Sequence, residues 1–164
     1  MAYRAVMLTE LLPPWAPNLH PIVVHFPIAW LTAALIVDLI ALALPRAAWA
    51  ETMANVLYPT GALSALVTYL SGRQAGATVL TPGMAHALVL DHWNWALATT
   101  ICFTGVAIVR LVFFYRRTIP SFWTRVALTT VALAGMLLLF QTGERGARLV
   151  YEYGVGVGIP GARR

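Results

Sequence analysis

Residues 22–44, IVVHFPIAWLTAALIVDLIALAL, place a single histidine and a single aspartate among 23 positions. A helix needs about 20 apolar residues to cross the hydrocarbon core of a bilayer. Three further runs have the same character: 53–72, 86–114 and 122–141. The connections PRAAWAE and YRRTIPS are short, and the link from Arg73 to Ala85 is longer and carries Pro82 and Gly83. Short links join antiparallel neighbours. The expected fold is therefore all-α: one domain, 1–164, an integral membrane four-helix up-down-up-down bundle with a Gly-rich C-terminal arm at 143–164. Composition agrees, because only 10% of residues are charged, against about 25% in soluble domains.

The net charge of +5 comes entirely from arginine. These arginines gather at the ends of apolar runs, as bilayer anchors do, so nucleic acid is not an expected partner. The lone cysteine, Cys102, lies within an apolar run and reads as a packing residue. No apolar stretch before Pro13 and Pro14 is long enough for a cleavable signal. Both termini and the 73–85 link share one end of the bundle, called here the histidine end. The two short links share the other, the loop end. Trp15, Trp93 and Trp95 near the first end, and Trp49 and Trp123 near the second, suggest two aromatic belts. Arg46, Arg116, Arg117 and Arg125 crowd the loop end, which favours that end as cytoplasmic and the histidine end as periplasmic.

All four histidines open the two helices that start at the histidine end: His20 and His25 in the first, His86 and His92 in the third. Ionisable groups at such depth are costly and mark functional sites. Positions five apart on a helix diverge by about 140°, and positions six apart by about 120°. One histidine of each helix is therefore expected to face the bundle interior. A b-type haem suits such a pair, being planar, apolar and commonly ligated by histidine. Gly61, Ser64, Ala65, Thr68 and Gly72 on the second helix, with Ala132 and Gly135 on the fourth, leave room for it. Arg73 and Arg145 are candidate partners for the propionates, with Tyr69 and Gln141 nearby.

Other readings attach to the same residues. The small residues also suit plain helix packing, and an interfacial histidine also suits a carbonyl or lipid hydrogen bond. The histidines with Asp91 form a weaker zinc or copper candidate, since their spacing matches no compact metal motif. Asp38 and Arg110 lie in the loop-end half, where an ion pair is favoured over a proton relay. Glu51 reads as a solvated loop charge. The glycines from Gly154 to Gly161 argue against helix in the tail.

Two motifs, HPIVVHFPI and GARLVYEYGVGV, together resemble a family of small four-helix bacterial membrane proteins of unknown function. The resemblance covers about Asn18 to Val157. It implies a multi-pass protein of the bacterial inner membrane with a redox connection, since members occur alone or beside cytochrome-like modules. The family's motif histidines fall on His20 and His25, and a further one on His92. Tyr153 departs from the histidine that relatives often carry there.

The expectation from sequence is a haem b-binding electron-transfer subunit of a larger membrane complex with redox subunits, with a quinone or a cytochrome as further partner. His25 and His92 are the expected axial ligands. His20 and His86 are candidates for a second haem, or for propionate and quinone contacts. The chain is not expected to be an enzyme by itself. The alternative is a cofactor-free accessory or assembly subunit, docked through its arm. A small transporter or metal-handling protein is weaker, because Asp38 alone offers an acidic group in the deep span.

Overall fold

A computed structural model describes residues 18–44 and 46–157. The N-terminal stretch with Trp15, the loop residue Pro45 and the end of the C-terminal arm lie outside the described residues. In chain order the elements are α1 (His20–Val23), α2 (His25–Ala43), α3 (Ala48–Thr78), a 3₁₀ turn (Gly83–Ala85), α4 (His86–Tyr115) and α5 (Phe122–Tyr151). Among the described residues there is no strand.

Local chemistry explains most of the ends. Asn18 Oδ1 accepts the His20 N–H at 3.0 Å, and Pro21 sits in the first turn of α1, where an amide has no partner to lose. Val24 interrupts the helix for one residue before α2 begins. Ser121 caps α5, its Oγ accepting the Thr124 N–H at 3.1 Å. The far end of α5 closes at Gly154, whose φ of 64° is open to glycine at little cost. The Gly154 and Val155 amides then donate to the carbonyls of Val150 and Leu149 at 3.0 and 2.9 Å.

Two boundaries differ from the sequence reading. α3 is 31 residues long and runs past both ends of the expected 53–72 segment. α5 continues to Tyr151, so residues 143–151 of the expected arm are helical. Gly143 and Gly146 lie within it, and Arg148 pairs with Glu144 and Glu152 one turn either side, at 3.8 and 3.0 Å.

Hydropathy also divides the helices differently. Three spans are long and apolar enough to cross a membrane: His20–Ala43, Gly83–Tyr115 and Phe122–Tyr151. α3 is not among them, because Glu51, Asn55, Arg73 and Gln74 dilute its apolar stretch.

The helices pack through small residues. Ala34, Ala54, Ala62, Ala107 and Ala132 are buried around Leu31, Tyr58 and Phe103. A Cβ on Gly61 would stand 2.5 Å from Leu31 Cδ2, and one on Gly135 2.8 Å from Phe103 Cζ. These glycines set how closely α3 meets α2 and α5 meets α4. The large apolar side chains point outward instead, among them Leu63, Leu70, Ile101, Leu137 and Phe140. Small residues inside and large apolar ones outside is how helices pack in lipid, where burial against water supplies no force between them.

Candidate functional site

Interior polar groups gather at two levels. At the loop end Asp38, 1% exposed, accepts from Arg110 Nη2, from Thr129 Oγ1 at 2.7 Å and from Tyr58 Oη at 3.3 Å. Arg110, 4% exposed, also donates to Asn55 Oδ1 at 3.2 Å and lies 4.7 Å over the Tyr58 ring. Glu51 is not a solvated loop charge. It sits in the first turn of α3, 3.0 Å from Arg125 and 3.7 Å from Arg110. The Asp38–Arg110 pair expected from sequence is present, extended by Thr129, Tyr58, Asn55 and Glu51. Nearly every charge here is answered by a neighbour, as a buried network requires.

The histidine end is different. His20 and His92 are half-buried, His20 against Ser71 and Gly72 of α3 and His92 against Thr142 and Gly146 of α5. His20 comes from α1 and His92 from α4. His25 and His86 are exposed. The structure thus buries His20, rather than the expected His25, in the same half of the bundle as His92. Helical phase contributes: five residues separate His20 from His25, so the two side chains diverge by about 140°.

Backbone and side-chain acceptors orient both inner rings. His92 Nδ1 lies 3.0 Å from the Thr142 carbonyl on α5. A carbonyl only accepts, so Nδ1 carries the proton and Nε2 keeps its lone pair when the ring is neutral. His20 Nδ1 lies 3.0 Å from Ser71 Oγ. The Ser71 hydroxyl donates onward to the Thr68 carbonyl at 2.9 Å, so its oxygen is left to accept from His20. Both inner rings therefore hold the same tautomer. Their Nδ1–H groups are tied to acceptors, the arrangement found around histidines that ligate metals.

Glycines make the room. A Cβ on Gly72 would stand 2.9 Å from His20 Cε1, and one on Gly146 3.2 Å from His92 Cε1. Gly76 does the same for Trp93, where a Cβ would be 2.6 Å from the ring. Gly72, expected from its size, contributes here. Gly146 and Thr142 were not legible as site residues, because the expected fourth helix ended before them. Ser71 was missed because nothing in the sequence connects it to His20.

The two arginines expected beside the histidines are both at this end, in different states. Arg73 is exposed and stacks 4.2 Å over Trp93. Among the described residues it has no acidic partner within ion-pair distance. Arg145 pairs with Asp91, donates to Gln141 Oε1 at 2.6 Å, lies 3.6 Å from Glu144 and stacks 4.5 Å over Trp95. Trp93 and Trp95 are half-buried beneath these cations rather than free belt residues. Asp91 is held by Arg145. Among the described residues no group of three or more His, Cys, Asp or Glu side chains is placed to hold a metal ion.

An apolar-surfaced helical bundle with its charged groups kept to its two end regions defines a small membrane-type protein. The family model described as Predicted membrane protein (DUF2231) matches residues 16–158, and the chain belongs to that family. No curated protein and no solved structure matches it.

Proposed function

We propose that this chain is a membrane electron-transfer protein holding one haem b through His20 and His92, as a subunit of a larger redox complex. One observation carries the reading. Two half-buried imidazoles from different helices lie at one end of the bundle, each with Nδ1 beside an oxygen acceptor. A donor set of two Nε2 lone pairs fits bis-histidine ligation. When bound, the haem supplies a one-electron iron couple whose potential responds to ligand identity and burial. Ser71 and Thr142 orient the ligands, and Gly72 and Gly146 seat the rings against the backbone. Arg73, lacking an acidic partner, is the better placed propionate partner, and Arg145 the second.

On this reading the bundle is up-down-up-down and crosses the bacterial inner membrane four times, with Leu63 and Leu70 of α3 turned outward to lipid. The histidine end faces the periplasm, where a quinone or a cytochrome reaches it. His25 and His86 are exposed, so a second haem is not part of the proposal.

A second reading keeps the protein free of cofactor as an accessory subunit of a membrane complex. What favours it is the close fit of His20 on Gly72 and of His92 on Gly146, which serves helix packing equally well.

The test is a dithionite-minus-oxidised spectrum of protein purified in mild detergent from haem-replete cells, with its native partners retained. A b-type α-band and one pyridine haemochrome per chain are expected. A colourless preparation contradicts haem binding and leaves the accessory reading.

A further inference from the structure

The loop end carries a second site that the histidines do not touch. A cavity of about 440 Å³ opens there, walled by Ala41, Glu51, Asn55, Arg110, Phe113 and Arg125 among others. We propose that it binds the phosphate of an anionic phospholipid, whose acyl chains leave along the apolar wall.

Charge is the first argument. Arg110, Arg117 and Arg125 line the cavity together with one acid, Glu51, while Asp38 stands behind Arg110. Three guanidinium groups against two carboxylates leave one positive charge, the complement of a phosphodiester. The second argument is an unmet donor. Arg110 is 4% exposed, lines the cavity, and its Nε has no hydrogen-bond partner. Arg125 Nε is buried and unpartnered as well, and Glu51 Oε2, the one unpartnered acceptor beside them, lies 3.0 Å from Arg125 Nη2, so donors remain in excess. A buried donor without an acceptor costs about 1–3 kcal/mol, so a ligand oxygen here answers a need that the chain leaves open. Guanidinium groups also match phosphate geometry.

The walls select the source. Phe113, Phe114, Ile119 and Pro120, consecutive or nearly so in the α4–α5 turn region, add apolar lining to the cavity. A free inorganic phosphate has no use for that lining, whereas a lipid places glycerol and acyl carbons on it. Basic pockets between membrane helices near one surface are known lipid headgroup sites. Arg117 stands at the rim, in a left-handed turn with φ 51°, exposed and without an acidic partner among the described residues.

The experiment uses delipidated full-length protein in neutral detergent and native mass spectrometry. The probes are phosphatidylglycerol, phosphatidylcholine and sodium phosphate, with thermal stabilisation as a parallel readout. Phosphatidylglycerol is expected to bind at least about 5-fold more tightly than phosphatidylcholine, the worth of roughly one interfacial charge. Arg117→Gln should erase most of that preference, and Arg148→Gln, at the opposite end, should not. Sodium phosphate should neither bind nor stabilise. Equal binding of the two lipids overturns the proposal without need of any variant. Retention of the full preference in Arg117→Gln overturns it too. Binding of sodium phosphate with no lipid preference would instead assign the cavity to a free anion and refute the lipid source.

Discussion

Removing the Asp38 carboxylate tests how the loop-end network holds the bundle together. Asp38→Ala deletes the ion pair to Arg110 and the acceptor for Thr129 Oγ1 and Tyr58 Oη, while Arg110 stays in the interior. Breaking one half of a buried pair costs about 3–5 kcal/mol, mostly from the charge left without a partner. Glu51, 3.7 Å from Arg110 Nη1, retains part of the compensation, so the lower half of that range, about 3–4 kcal/mol, is expected. Replacing both charges, in Asp38→Leu with Arg110→Met, removes the stranded cation and should recover stability to within about 1 kcal/mol of the original. The assay is equilibrium unfolding in mixed micelles titrated with sodium dodecyl sulfate, compared across Asp38→Ala, the singles Asp38→Leu and Arg110→Met, and the double. A loss below about 1 kcal/mol for Asp38→Ala would refute the reasoning. So would a double variant as unstable as the singles, because the penalty would then not come from an unpaired charge.

Other substitutions separate the helix contacts. Gly61→Ala and Gly135→Ala force a Cβ against Leu31 and Phe103 and should each cost about 1–3 kcal/mol in the same assay. Gly105→Ala, with nothing within 4 Å, should be neutral or stabilise by up to about 1 kcal/mol; a loss there would contradict the packing. Ser121→Ala removes the α5 cap and should cost about 0.5–2 kcal/mol, with hydrogen exchange rising first in that turn. Gly154→Ala, at φ 64°, should cost about 1 kcal/mol and fray the end of α5, read as faster exchange at Leu149 to Tyr151.

Four helices, their order and the shared end of the histidines were legible from residue type and spacing alone, though only three of the four are apolar enough to cross a membrane. So was the Asp38–Arg110 pair, since two opposite charges in one membrane half have few other places to go. Which histidine of helix one faces inward was not. The choice depends on the phase of α1 and on the one-residue break at Val24, neither of which leaves a mark in composition. The α5 extension was hidden because Gly143 and Gly146 carry the signature of a helix end. In the structure Gly146 instead gives way to His92, while Arg148 joins Glu144 and Glu152 along the helix. Glu51 looked solvated because its two partners, Arg110 and Arg125, are distant in sequence and close only once α3, α4 and α5 pack.

The most direct test of the site is a comparison of His20→Ala, His25→Ala, His86→Ala and His92→Ala by haem content per folded chain and by the reduced α-band. The account predicts loss of the bound haem in His20→Ala and His92→Ala, and full retention in His25→Ala and His86→Ala. Loss in His25→Ala with retention in His20→Ala would contradict it, and would mean that the ligand pair is not the half-buried one.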